Sequence, residues 1–424
     1  MLTNTEAFFK ELVRKSKNGS PESVCSVCSA NRFVIEAVLE EGKRLDRPVL
    51  IEATANQINQ FGGYTGMVPA DFVEYVCSIA DAVGYGRDGL ILGGDHLGPL
   101  VWSGEPEESA MQKAEELVEA FSKAGFSKIH LDCSMRLGSD DPDAPLPIGT
   151  VAARAARLAA AAEHCAAVRP VYVIGSEVPV PGGATETESS LAVTKKEDLV
   201  SEYEAFRDAF LQLGLEDAWS RVVAVVVQPG VEFGDNQVFP YDAGKAGELV
   251  EAARLLPGIM LEGHSTDYQP AARLAGMTAG GVGILKVGPA LTFAAREALF
   301  SLEIVERAVY EEAPAGGYSD FSRTLEKAML DAPTNWARHY HGSAHDLSLM
   351  RKYSLSDRCR YYMEDESVKA SIDRLIRNIN EADIPLGVLH QYMPKQAEAA
   401  LAGELELRAE TLVKENIRYV IRTY

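Results

Sequence analysis

The chain has 424 residues, 46% of them apolar and 24% charged, a balance that excludes a disordered, collagen-like or disulfide-scaffold protein. The 62 Asp and Glu against 41 Lys and Arg leave a formal charge of -21, a field that repels nucleic-acid phosphates and anionic lipid heads.

Residues 1–20 mix Phe8, Phe9 and Leu12 with charged neighbours and read as an amphipathic helix rather than a secretory signal. No apolar run approaches the ~18 residues of a membrane span, so a cytoplasmic protein without a membrane partner is expected. The 6 cysteines are scattered and expected to be free thiols. Cys25-Ser-Val-Cys28 has no second CxxC, and on a strand its sulfurs would point to opposite faces.

Apolar, β-branched runs then recur at Ser23 to Ser29, Pro48 to Ala53, Gly89 to Gly93, Lys128 to Cys133, Pro170 to Ile174, Val222 to Val227, Gly258 to Leu261 and Val282 to Val287. Helical patterns separate most of them, as where Met111, Ala114, Leu117, Val118, Phe121 and Ala124 repeat one face before Gly125 stops it. Strand, helix, strand demands a parallel sheet covered on both faces, which accounts for strands read as wholly apolar. Eight such units predict an α/β fold of the closed (β/α)8 TIM-barrel kind over 1–325. A doubly wound sheet would more often carry a Gly-rich fingerprint after its first strand, and none follows Ser29. The alternation ceases near residue 325, and 326–424 reads as a mainly helical extension packed on the barrel, with Ser367 to Asn380 and Gln396 to Tyr424 its longest periodic stretches.

Barrel enzymes place their chemistry at the carboxyl ends of the strands, and here those ends are polar. Asp95-His96 sets a proton carrier beside a metal ligand; a hydrogen-bonded pair stabilising a turn is the plainer reading. His264, followed by Ser265, would supply a second nitrogen, with Asp132, Glu177 or Gln228 completing a mixed N/O site for zinc, manganese or a similar ion. Asp132, Glu177 and Glu262 could equally be structural, satisfying buried strand ends. Lys286 admits an imine reading, but its apolar neighbours give no sign of a lowered pKa. His339, His341 and His345 fall outside the barrel mouth, where packing or a surface role is expected. No GxxxxGK[ST] loop is present, so no nucleotide is expected.

The runs Ile51 to Gln57, Gln60 to Met67, Gly93 to Pro99, Lys128 to Met135, Val226 to Phe233, Asn335-Trp336, His339-Tyr340 and Tyr353 to Tyr362 together resemble one family over nearly the whole chain. It is the non-catalytic subunit family of bacterial tagatose-1,6-bisphosphate aldolase, a cousin of the metal-dependent class II ketose-bisphosphate aldolases. Met363 departs from the tryptophan associated with the last run.

The resemblance implies a barrel in which Asp95 matches the catalytic acid/base, His96 and His264 match two metal ligands, and Glu177 matches a strand-end acid. Gln228 stands where the third metal histidine is expected, and the loop after His264 lacks the Gly-Gly-Ser-Gly run that holds a phosphate. Asn56, Gln57, Asp132, Ser134, Glu262, Ser265 and Lys286 are expected to contact substrate. The implied role is to support a catalytic class II aldolase subunit in galactitol or N-acetylgalactosamine catabolism. The alternative is a divalent-metal ketose or ketose-phosphate aldolase or C4-epimerase in its own right; a tagatose-6-phosphate kinase ranks last. Self-association is compatible with either.

Overall fold

The computed structural model describes residues 4–175 and 191–424. Eight parallel strands close into a barrel: β1 (Val24–Cys28), β2 (Val49–Thr54), β3 (Leu90–Leu97), β4 (Lys128–Leu131), β5 (Val171–Ile174), β6 (Val222–Val227), β7 (Met260–Gly263) and β8 (Val282–Val287). Each pairs with its neighbours in sequence, and β8 returns to β1 with Val24 opposite Ile284 and Val27 opposite Val287. Every one of the eight runs read from the sequence is a barrel strand.

Side chains alternate across a strand, so each strand feeds two cores. Outward positions such as Ile51, Leu92, Ile129 and Val225 join the large core beneath the surrounding helices. Inward positions Leu50, Ile91, Val171, Val173, Val223, Met260 and Ile284 form a second, smaller core inside the barrel. The amphipathic helix Thr5–Lys17 closes its amino end, burying Phe9, Leu12 and Val13 against that inner core. Thr5 donates to Ser127 and Ser16 to the Gly281 carbonyl, tying the plug to the rim.

The strands are not wholly apolar, contrary to the sequence reading. Two residues further along β2, β7 and β8, and in β4, the inward positions carry Glu52, Lys128, His130, Glu262 and Lys286, all buried. Gly93 makes room for this layer: a Cβ there would lie 2.3 Å from Glu52 Oε1.

The extension is helical and lies on the barrel. Its last helix, Ala409–Ile421, packs against Arg32–Leu45 and Pro289–Val309, with Lys414 and Arg418 paired to Glu40 and Arg422 to Glu41. The stretch read as one periodic run, Gln396 to Tyr424, is two helices, because Gly403 adopts φ 73° and ends Pro394–Leu401. The C-terminal Tyr424 donates its hydroxyl to the Thr266 carbonyl, 2.9 Å away, directly beyond β7. No helix among the described residues is long and apolar enough to cross a membrane, and all six cysteines are free.

Candidate metal centre and active-site cavity

Consecutive strand residues normally face opposite ways, yet Asp95 and His96 both reach the barrel mouth. The cause is local: β3 loses register with β4 between Gly94 and Leu97, and His96 takes a left-handed φ of 47°. Beyond β7, Ser265 does the same at 52°. Such conformations cost energy and persist only where surrounding contacts hold them. Gly98 allows the chain to continue, since a Cβ there would meet the Asp132 carbonyl at 1.7 Å.

The irregularities bring three imidazoles together. Ring centroids lie 4.9 Å apart for His96 and His130, 5.0 Å for His96 and His264, and 5.3 Å for His130 and His264. One ligand atom from each of Asp95, His96, His130 and His264 falls within 4.8 Å of all the others. His96 Nδ1 lies 2.8 Å from Asp132 Oδ2, and His264 Nε2 lies 2.9 Å from Glu262 Oε1. An N–H donated to each carboxylate leaves the other ring nitrogen with its lone pair free, the arrangement that orients histidine ligands. Asp132 is held in turn by the amide and hydroxyl of Ser134, at 3.1 and 2.7 Å from its Oδ1.

Electrostatics separates this cluster from the charged layer beneath it. Burial opposes ionisation of His264, and the nearby Lys286 adds to that, taking its pKa down to about 3. The ring is therefore neutral and able to ligate at ordinary pH. Burial also works against charge on His96, but Asp95 and Asp132 outweigh it and raise its pKa. Asp132 feels the same burial, and its bond to His96 brings it down to about 2.

Glu52, Asp95 and Glu262 also converge, but lysines already answer them. Lys128 sits 2.6 Å from Glu52 and 3.0 Å from Glu262, and Lys286 pairs with Glu52, Asp95 and, at 3.2 Å, Glu262. Burial disfavours the Lys286 ammonium, yet these three acids hold its pKa well above the ordinary value. A protonated amine is no nucleophile, which removes the basis of an imine at Lys286. Asp95, for which burial is likewise outweighed by His96 and Lys286, is held ionised.

Donor chemistry tests whether the histidine cluster suits a divalent ion. Two imidazoles with orienting carboxylates, His96 and His264, a third, His130, whose Nδ1 lies 3.0 Å from Asp95 and accepts from the His96 amide at 3.2 Å, and the ionised Asp95 itself make the nitrogen-rich donor set that zinc and related ions take, so the residues fit.

A cavity of about 120 Å³ opens above the cluster and is lined by Asn56, Gln57, Asp95, His96, His264, Ser265 and Lys286. These seven of the residues singled out from the sequence share one space. Asp132, Ser134 and Glu262 do not line the cavity; they stand behind the imidazoles. Gln228 is not among the lining residues either, and its Oε1 accepts from the amides of Gly230 and Val231 at 2.9 and 3.0 Å. Glu177 lies outside the described residues.

His130 is the residue the sequence reading passed over. It sits mid-strand rather than at a strand end, and its signal was the spacing Lys128, His130, Asp132, three ionisable side chains on one face of a buried strand. The cavity's remaining wall was also missed: Arg360, Tyr361, Met363 and Glu364 of the extension line it, with Tyr64 from the loop after β2. His341 and His345 are exposed, and His339 lies near Arg358, away from this mouth.

Residues 9–424 match the family model described as D-tagatose-1,6-bisphosphate aldolase subunit GatZ/KbaZ-like. A solved structure from Sinorhizobium meliloti, described as a probable tagatose 6 phosphate kinase, is 42% identical, with 95% of this chain and 99% of that one covered and a TM-score of 0.87. Fructose-bisphosphate aldolase from Campylobacter jejuni is far more distant, at 14% identity over 89% of this chain and 93% of its own, with a TM-score of 0.49. The YdjI aldolase from Escherichia coli K12 is 11% identical over 87% and 96%, with a TM-score of 0.44.

Proposed function

Because the chain belongs to the GatZ/KbaZ-like family of D-tagatose-1,6-bisphosphate aldolase subunits, we propose that it carries a divalent-metal site of its own, able to break and remake a ketose carbon–carbon bond. The observation that supports this reading is the convergence of Asp95, His96, His130 and His264 within 4.8 Å. The third nitrogen, expected to be lost where Gln228 replaces histidine, has a counterpart in His130. His96, His130 and His264 would hold the ion, and zinc, manganese or nickel would each suit them. Bound there, the ion would polarise the ketose C2 carbonyl as a Lewis acid.

The chain's own residues supply the rest. Asp95, kept ionised by His96 and Lys286, accepts the C4 hydroxyl proton as the C3–C4 bond breaks and its electron pair moves toward C2. Asn56, Gln57 and Ser265 offer hydrogen bonds to the sugar hydroxyls, and Lys286 holds Asp95 toward the cavity. Returning the proton as the bond re-forms completes an aldol addition; if the aldehyde has turned over, C4 is inverted and the outcome is epimerisation. Glu177, beyond the end of β5, is retained as a candidate strand-end acid.

A second reading, an accessory subunit that activates and stabilises a separate class II aldolase, is favoured by the word subunit in the family's description. The two are compatible. Kinase chemistry is not part of the proposal, as the sequence has no phosphate-binding GxxxxGK[ST] loop.

The test is a panel of ketoses and their phosphates incubated with the purified chain and added zinc, manganese or nickel, alone and with a class II aldolase from the same source. The enzyme reading expects metal-dependent cleavage or C4 inversion by the chain alone, abolished in Asp95→Asn with metal retained. Activation of the partner that survives Asp95→Asn, with no turnover by the chain itself, would leave only the accessory role.

A further inference from the structure

Among the described residues, the cavity has a cation with no carboxylate in salt-bridge contact. Arg360 lies in the short turn Arg358–Tyr362 of the extension, and its side chain lines the cavity beside Tyr361 and Tyr64. Its Nη1 donates to the carbonyls of Ser356 and Asp357, and its Nη2 to the Tyr361 hydroxyl at 2.9 Å, with the guanidinium 4.5 Å from that ring's centroid. The turn is pinned from below. Asp357, at a left-handed φ of 47°, accepts from Arg296 Nε at 2.8 Å and from Thr292 at 2.7 Å.

Other buried arginines have acids: Arg296 has Asp357, Arg221 has Glu163, Arg154 has Asp140. Among the described residues Arg358 lacks one too, but it turns to the Asn335 carbonyl and does not line the cavity. A largely buried guanidinium held by carbonyls and a phenol is costly without an anion paired to it; Asp357 and Asp267 act on it from a distance without pairing, and the cavity is where a paired anion would sit.

The same cavity has a second place where an anion would ordinarily go, and it is filled. The amides of Gly288 and Ala290 open the long helix Pro289–Val309, a ready anion site. Asp267 occupies it, its Oδ1 accepting from those amides at 3.0 and 2.7 Å, and its carboxylate is buried in the cavity wall.

We propose that Arg360 is the anchor for one terminal anionic group of the ketose, phosphoryl or carboxylate, and that Asp267 closes the amide corner to a second, so that mono-anionic ketoses are preferred over bisphosphates. This rests on the reading of the cavity as a ketose site. The preference is set by the extension and by the loop after β7, not by the metal ligands.

The first test needs neither metal nor turnover. Inorganic phosphate is titrated calorimetrically into the full-length chain with a chelator present, for the wild type, Arg360→Gln and Arg360→Lys. The proposal expects roughly tenfold weaker binding in Arg360→Gln, the loss of one charge-assisted contact, and an intermediate loss in Arg360→Lys. Unchanged phosphate affinity in both variants overturns it. Should Arg360→Gln melt early, Arg360→Lys carries the comparison.

The second test compares fructose, fructose 6-phosphate, fructuronate and fructose 1,6-bisphosphate with the zinc-loaded chain. A gain of roughly tenfold or more for the monophosphate or the uronate over fructose, absent in Arg360→Gln, supports the anchor and says which anion it takes. A bisphosphate bound tenfold tighter than the monophosphate overturns the part assigned to Asp267. Zinc content measured alongside separates the two readings: a wild type without zinc sinks the metal centre, whereas the phosphate titration alone judges Arg360.

Discussion

The two ends of the barrel interior are made by the same strands and differ in what their inward positions carry. At the amino end, Leu50, Ile91, Val171 and Met260 meet Phe9, Leu12 and Val13 of the plugging helix in a dry apolar core. Two residues further along β2, β7 and β8, Glu52, Glu262 and Lys286 replace them, joined by Lys128 and His130 of β4. The lower end stabilises by burial, at about 25 cal/mol per Å² of apolar surface. Desolvation opposes the upper end, which persists because each charge there has a partner within a few ångströms. Stability and chemistry are thus segregated along the barrel axis, a few residues apart.

Mutations at the two ends should break differently. Lys128→Met leaves Glu52 and Glu262 short of a cation in a fully buried layer, and the expected loss is about 3–5 kcal/mol by urea denaturation. Leu50→Ala, in the amino-end core, should cost about 2–5 kcal/mol in the same assay while leaving metal affinity unchanged. A Lys128→Met protein as stable as the wild type would mean that the charged layer is not buried as described.

Of the two ends of the barrel interior, acid should attack the carboxyl one. His264 is held neutral, with its pKa lowered from 6.5 to about 3, so an unfolded chain takes up a proton that the folded one refuses. Its contribution is fully present above about pH 6.5 and fades as pH falls toward 3, on the order of 3 kcal/mol by pH 4. Asp132, lowered to about 2, contributes fully above about pH 4 and is lost only as pH falls through its folded value. Denaturation midpoints followed from pH 7 to 4 should therefore decline in the wild type and decline less in His264→Asn. Equal slopes would contradict the buried neutral ring.

The smallest effect sharpens the comparison most finely. Ser134→Ala removes one hydrogen bond to Asp132, worth about 1 kcal/mol, and should weaken metal binding modestly without altering the amino-end core. Metal affinity unaffected by Ser134→Ala would detach Asp132 from the proposed ligand sphere.

Much of the fold was legible because its signal is local. Eight β-branched runs separated by helical periodicity dictate a parallel closed sheet, and Asp95-His96 and His264 announce themselves at strand ends. His130 was not legible in the same way. It sits inside a strand, where a polar residue reads as an exception to an apolar run, and only the closed barrel turns Lys128, His130 and Asp132 into one inward row. Gln228 drew attention through its position in the chain, but its carbonyl is used by its own loop. Arg360 could not be assigned from spacing at all, since 96 residues separate it from His264 and only the packing of the extension brings it to the mouth.

The central claim, that histidines of β3 and β4 and the one just beyond β7 form one metal site, is tested most directly by metal content. The chain, saturated with zinc and dialysed, should retain about one ion per chain, and His130→Ala should lose most of it, its fold checked by circular dichroism in chelator. A wild type that retains none, or a His130→Ala protein that retains as much, would contradict it.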